Sequence, residues 1–231
     1  MTEGPVKKAL VWDLPTRLFH WLLAASFAGA YLTAESERMR DWHLMFGYTM
    51  LGLIAFRLAW GVLGTRYARF RSWTFGPRAV VDYLKSLMTS APRHYVGHNP
   101  AGSWAIYALL GLSAATGLVG WAALADLGGE RLSELHGGLG NALLALIFVH
   151  LFGVIASSFI HRENLVRGML DGRKDAPPDS SIRHSHRAVA VLLVAAVAAA
   201  WAVLPQYLAA PDPGWSSAGY QDAHAERHED D

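Results

Sequence analysis

Leu135 to Ile160 reads LHGGLGNALLALIFVHLFGVIASSFI and holds no Asp, Glu, Lys or Arg. Crossing the hydrocarbon core of a bilayer takes about 20 helical residues. Helices in soluble cores are rarely this long and this apolar, so the stretch predicts a transmembrane helix. Inside it stand two imidazoles, His136 and His150. An ionisable side chain within a membrane helix is costly, and it marks a functional position by default.

Four further apolar stretches flank this one: Leu18–Ala34, Trp42–Gly64, Ser103–Ala125 and Ala188–Leu204. The third in chain order, Ser103–Ala125, is also free of Asp, Glu, Lys and Arg. The first and last are shorter, and flanking apolar or aromatic residues can extend them. Composition agrees: 52% of the 231 residues are apolar, 17% are charged, and there are 9 Trp. The expected fold is an all-α membrane protein, a four-helix transmembrane bundle plus a fifth, C-terminal transmembrane helix. A very apolar soluble helical protein is the alternative that these lengths disfavour. The chain has no cysteine. That excludes disulfides, iron–sulfur ligation, thiolate zinc sites, cysteine nucleophiles and covalent attachment of c-type haem. Eleven histidines remain as the good side-chain ligands for a transition metal. A net charge of +1 gives no reason to expect nucleic acid.

Orientation follows from the basic residues, which collect on the cytoplasmic side. Fifteen of the twenty Lys and Arg fall in the N-terminal arm and start of the first stretch, between the second and third, and between the fourth and fifth. Arg38, Arg40, Arg131 and Arg227 lie on the other side, and Arg57 lies inside the second stretch. The N-terminus is expected to be cytoplasmic and the C-terminus to face the opposite side. The first stretch follows Trp12-Asp13-Leu14-Pro15 without a clean small-residue cleavage site, which argues against a cleaved signal peptide. Pro77–Met88 reads as a short amphipathic helix, lying on the cytoplasmic membrane surface or packed on the bundle. Pro205, Pro211, Pro213 and Gly214 are expected to end the last helix. The acidic tail behind them reads as disordered. His224 and His228 within it stand four apart and could share a metal if helical, but a solvated tail is the simpler reading.

His20 and His43 join His136 and His150 as histidines within apolar stretches. His136 and His150 are 14 residues apart, roughly 21 Å along a helix and on nearly the same face. With the orientation above, His43 matches the depth of His136 near the outer surface. His20 matches His150 in the inner half. A lone histidine in such a helix is best explained as an interhelical hydrogen bond. Four falling into two layers of two suit two bis-histidine haems, one axial nitrogen on each face of each plate. Six-coordination leaves no open position for oxygen and favours electron transfer. A zinc site or proton pathway would want carboxylates among the histidines. Gly47, Gly137, Gly138 and Gly140 stand near His43 and His136 and would leave room for a porphyrin, or else would serve close helix packing. Arg57 is 14 residues after His43, level with the inner layer. It could pair with an inner haem propionate, meet a quinone carbonyl, or snorkel to the headgroups. Arg17, one turn before His20, could serve the same propionates or simply follow the inside-positive bias.

Trp12-Asp13-Leu14-Pro15-Thr16-Arg17-Leu18-Phe19-His20-Trp21 resembles the opening of the prokaryotic cytochrome b561 family, which includes the b-type cytochrome subunits of nickel–iron hydrogenases. Trp42-His43-Leu44-Met45-Phe46-Gly47 and Arg57-Leu58-Ala59-Trp60-Gly61 are similar to its second helix. Leu135-His136-Gly137-Gly138 and Val149-His150 are similar to its fourth. The resemblance covers about residues 10–175. It implies two b-type haems, the inner held by His20 and His150, the outer by His43 and His136. It further implies a bacterial inner-membrane protein with a periplasmic C-terminus, passing electrons between the quinone pool (ubiquinone or menaquinone) and a periplasmic cytochrome or partner oxidoreductase subunit. The chain then divides into a cytochrome unit at 1–175, a linker and fifth helix at 176–205, and a periplasmic tail at 206–231. Some relatives oxidise superoxide and reduce ubiquinone. The mixed charge of Glu35, Glu37, Arg38, Arg40, Asp41, Glu130, Arg131 and Glu134 on the outer side does not favour steering an anion. A histidine-based metal transporter is the alternative of another class.

Overall fold

The computed structural model describes residues 7–208. Its helices are α1 (Leu14–Thr33), α2 (Arg40–Leu63), α3 (Pro77–Ser86), α4 (Pro100–Leu124), α5 (Glu130–Ile160), α6 (Leu165–Asp171) and α7 (Arg187–Leu208). Local chemistry sets their starts. Asp13 caps α1 by accepting from the Thr16 backbone N–H at 2.8 Å, with Pro15 in the first turn. Asn99 caps α4 by accepting from Gly102 N–H at 2.7 Å, with Pro100 behind it. Both pairs match the preference for a short polar acceptor followed by a proline with preset φ.

Four helical segments among the described residues are long and apolar enough to cross a membrane: Glu37–Leu63, Pro100–Leu124, Glu130–Ile160 and Arg187–Leu208. The apolar window of α5 has a mean hydropathy of 2.4, yet only 6% of it is buried by the protein itself. Phe148, Phe152, Ile155 and Phe159 stand bare on its surface. A helix apolar all round and left uncovered is solvated by lipid. The chain is a multi-pass membrane protein. The 20-residue α1 is not among those four segments; Thr16, Ser26 and Thr33 are buried along it, and it packs lengthwise on α2.

α4 bridges the bundle, lying along α2 on one side and α5 on the other, while α7 leans on α1 and α2. α5 reaches α1 and α2 through side chains. Leu143 is buried with Ala30 of α1 and Met50 of α2, and the Tyr31 hydroxyl donates to Asn141 Oδ1 at 2.9 Å. α3 packs against α4 with Tyr83 and Ser86 buried, so the amphipathic stretch is docked on the bundle.

Two sequence expectations need correction. The chain is mostly helical but not wholly so: β1 (Lys7–Leu10) pairs antiparallel with β2 (Arg173–Ala176), Lys7 opposite Ala176 and Leu10 opposite Arg173. Four-residue strands carry too little alternation to be read from sequence, and long-range pairing decides them. Second, α7 does not stop before Pro205 but runs through it to Leu208. A proline so close to a helix end removes little of the hydrogen-bond ladder. Pro211, Pro213, Gly214, His224 and His228 lie outside the described residues.

The strand pair closes a cap at the end of the bundle where α1 begins. Ala9, Val11, Trp12, Tyr67 and Ala176 form its core. Gly172 ends α6 at φ +80°, and its carbonyl accepts from the N–H groups of both Val11 and Trp12 at 2.8 and 3.0 Å. A Cβ here would come within 2.5 Å of the Trp12 carbonyl oxygen. Conformation and space both require glycine.

Candidate functional site

Along α5, His136, Leu143 and His150 recur every seven residues and so share a face. Along α2, His43, Met50 and Arg57 do the same. The two helices bring these series together. His43 and His136 meet with ring centroids 5.8 Å apart and planes at 87°. Each ring is tied down from behind. His43 Nδ1 lies 2.9 Å from the Ala30 carbonyl oxygen of α1, and His136 Nδ1 lies 2.9 Å from the Thr116 carbonyl oxygen of α4. A carbonyl only accepts, so each Nδ1 carries a proton, and in the neutral ring the Nε2 atom keeps a lone pair. Ala30 can offer its oxygen because α1 is ending there, Ala34 N–H having turned to the Tyr31 carbonyl. Thr116 is reachable because residue 120 is glycine. A Cβ on Gly120 would come 2.7 Å from His136 Cε1.

His20 lies on α1 and His150 on α5. The Trp21 ring stands edge-on to His20 at 5.0 Å. His20 Nδ1 is buried and has no hydrogen-bond partner within the described residues. Between the levels of His136 and His150 lies an apolar layer of Leu143, Ala30 and Met50, flanked by Phe27, Phe46 and Ile147.

The glycines sort into two kinds. Gly29 lies under the Phe46 ring and Gly117 under Leu51, where a Cβ would come within 2.5 and 2.6 Å. Gly47, Gly137, Gly138 and Gly140 front open space, with nothing within 4 Å of a Cβ. The glycines beside His43 and His136 therefore do not serve helix-to-helix contact.

Arg57 is 3% exposed, so its head does not snorkel to solvent. The guanidinium lies 4.7 Å from the Phe70 ring centroid and 5.7 Å from that of Trp73, a cation–π cover. Its Nη1 has no partner within the described residues. Arg17 donates to the Leu170 carbonyl and so holds the C-terminal end of α6, where its charge is favoured.

Sequence reasoning singled out Asp13 only as a letter in a motif. In the structure it is 1% exposed and organises the cap. It accepts from Thr16 N–H, from Trp60 Nε1–H at 3.2 Å and from the Thr65 hydroxyl at 2.5 Å. The opening Trp12-Asp13-Leu14-Pro15 and the later Arg57-Leu58-Ala59-Trp60-Gly61 are thus two halves of one hydrogen-bonded hub. His98, outside every apolar stretch, lies between Trp12 and Trp73, ring centroids 4.6 and 4.5 Å away. Burial, with the charges of Arg57 and Lys174 beside it, pushes its pKa down to about 3. The fold therefore holds His98 neutral. An unfolded chain takes up this proton near pH 6.5. The neutral form's advantage is complete above that pH and is lost as pH falls toward 3. Thermal unfolding at stepped pH is expected to show this in the parent and less of it in His98→Gln, the difference reaching at most about 1.4 kcal/mol per pH unit.

The family model for prokaryotic cytochrome b561 matches residues 11–172. The chain belongs to the prokaryotic cytochrome b561 family. The first and last matched residues are hydrogen-bonded to one another, Val11 N–H to the Gly172 carbonyl, so the matched segment closes on itself and α7 lies beyond it. The chain is similar to a probable Ni/Fe-hydrogenase B-type cytochrome subunit of Rhodobacter capsulatus, 22% identical over 216 residues, covering 73% of this chain and 82% of that protein. It is also similar to the probable subunit of the same description from Azotobacter vinelandii, 26% identical over 220 residues, covering 73% and 90%. No solved structure matches. This is a b-type cytochrome of membrane electron transfer, a class whose cofactor is haem b.

Proposed function

We propose that this cytochrome carries electrons across the bacterial inner membrane through two bis-histidine b-type haems. His43 and His136 hold the outer haem and His20 and His150 the inner. The observation that carries this is the His43–His136 pair, 5.8 Å apart with each Nδ1 bound to a backbone carbonyl. An imidazole nitrogen would bind a transition metal at about 2 Å, and two rings at this separation would be near enough to hold one ion between them. A second-layer carbonyl on the other ring nitrogen is the usual support of a histidine ligand. The buried, unpartnered Nδ1 of His20 and the open space at Gly47, Gly137, Gly138 and Gly140 support the same reading.

When bound, haem held by two histidines would pass single electrons and would leave no open position for oxygen. The chain's own residues do the rest. Ala30 and Thr116 fix the tautomer of the outer ligands through their carbonyl oxygens. Leu143, Met50 and Phe27 keep the space between the two levels apolar. Arg57 offers Nη1 to an inner propionate or a quinone carbonyl, and Arg17 adds positive charge one turn from His20. In this reading α1 also crosses the membrane, giving five spans with a cytoplasmic N-terminus and a periplasmic C-terminus. Residues 1–175 are the cytochrome unit, 176–205 the linker and fifth span, and 206–231 a periplasmic tail. Electrons pass between quinone, ubiquinone or menaquinone, and a periplasmic cytochrome or partner oxidoreductase subunit. Both relatives are probable hydrogenase subunits, which supports a partner subunit.

The test is the optical spectrum of the purified protein with haem extraction. Two haems per chain and a reducible bis-histidine spectrum are expected. A colourless protein that binds zinc would overturn the proposal.

A further inference from the structure

α7 lies outside the matched segment, yet one of its side chains reaches the helix that carries His43. Trp201 Nε1–H donates to the Thr49 hydroxyl at 2.8 Å, and that hydroxyl donates on to the Met45 carbonyl at 2.7 Å. The Trp201 ring meets Phe46 at 5.3 Å and 69°, and Trp42 at 5.9 Å. Trp42, Phe46 and Thr49 lie on one side of α2 and bracket His43. Phe46 in turn presses on Gly29 of α1, where a Cβ would find its ring 2.5 Å away. The next residue is Ala30, whose carbonyl receives His43 Nδ1–H.

We infer that Trp201 is a positioning residue for the outer histidine pair, holding Phe46 on Gly29 so that the Ala30 carbonyl stays in reach of His43. This rests on the haem reading above. In lipid no hydrophobic force drives helices together, so close packing and interhelical hydrogen bonds set their spacing. Trp201 supplies both. Without it Phe46 loses its backing, α1 and α2 separate at this level, and His43 loses the bond that fixes its ring. Among the described residues neither His20 nor His150 has such a link to Trp201.

The experiment uses the full-length, haem-loaded protein and low-spin paramagnetic resonance, with haem per chain measured alongside. His43→Ala assigns the outer signal as the one it abolishes. In Trp201→Leu that signal shifts or broadens while the inner one is unchanged; Trp201→Phe and Thr49→Val give the same selective change in smaller size. Val203→Ala, on an exposed position of α7, leaves both signals as in the parent. An outer signal in Trp201→Leu identical to the parent's overturns the inference, and so does an equal shift of both signals, which marks general loosening. Should Trp201→Leu fail to accumulate, an unshifted outer signal in both Trp201→Phe and Thr49→Val overturns it. A parent without haem overturns the haem reading itself and is seen before any variant is made.

Discussion

His136→Ala is expected to leave a folded protein with one haem per chain in place of two, and the haem retained is the inner one. His136 is about two turns from the start of a helix otherwise held along α4, and its loss leaves the apolar layer of Leu143, Ala30 and Met50 intact. Bis-histidine ligation at the outer level cannot form from His43 alone. His150→Ala gives the converse, loss of the inner haem with the outer spectrum kept. Haem extraction and the reduced-minus-oxidised spectrum measure both. Loss of the inner haem in His136→Ala would refute the assignment of levels, and two haems in both variants would refute the ligands.

Asp13→Ala is expected to be the most destabilising single change in the cap, by about 3–5 kcal/mol. A buried donor left without its acceptor costs about 1–3 kcal/mol. Three donors lose theirs here: Thr16 N–H, Trp60 Nε1–H and the Thr65 hydroxyl. Asp13→Asn keeps the cap's shape and an acceptor oxygen but not the charge, so it is expected to fall between parent and alanine. Thermal unfolding in detergent measures the series. An alanine variant as stable as the parent would show that the hub carries no weight.

The two predictions draw on different layers of information. The histidine positions on α5 were legible from spacing, because helix geometry turns 14 residues into nearly four whole turns on one face. The start of α1 was legible in part, since the first apolar stretch follows Trp12-Asp13-Leu14-Pro15, whereas α4 begins at Pro100, ahead of the apolar stretch that marks it. The glycines near His136 were ambiguous. Sequence cannot tell a glycine that touches a neighbouring helix from one that faces open space, and Gly117 and Gly137 differ only in what stands opposite them. Asp13 as a hub, His98 between two tryptophans, and the strand pair beneath them were not legible. Their partners lie tens to more than a hundred residues away, and no local pattern encodes which distant group arrives.

The sequence by itself determined the membrane class, the apolar helices, the face shared by His136 and His150, and the resemblance that the family match bears out. These follow from composition and from a helix repeat that acts within a few residues. Only the tertiary structure decided that His43 stands beside His136 with both Nδ1 atoms anchored, and that Arg57 is enclosed by aromatic rings. It alone decided that Trp201 of α7 leans on the helix bearing His43. Those depend on how α1, α2, α4, α5 and α7 dock, and docking in lipid is set by side-chain fit and interhelical hydrogen bonds rather than by hydrophobicity, which every one of these helices has in excess.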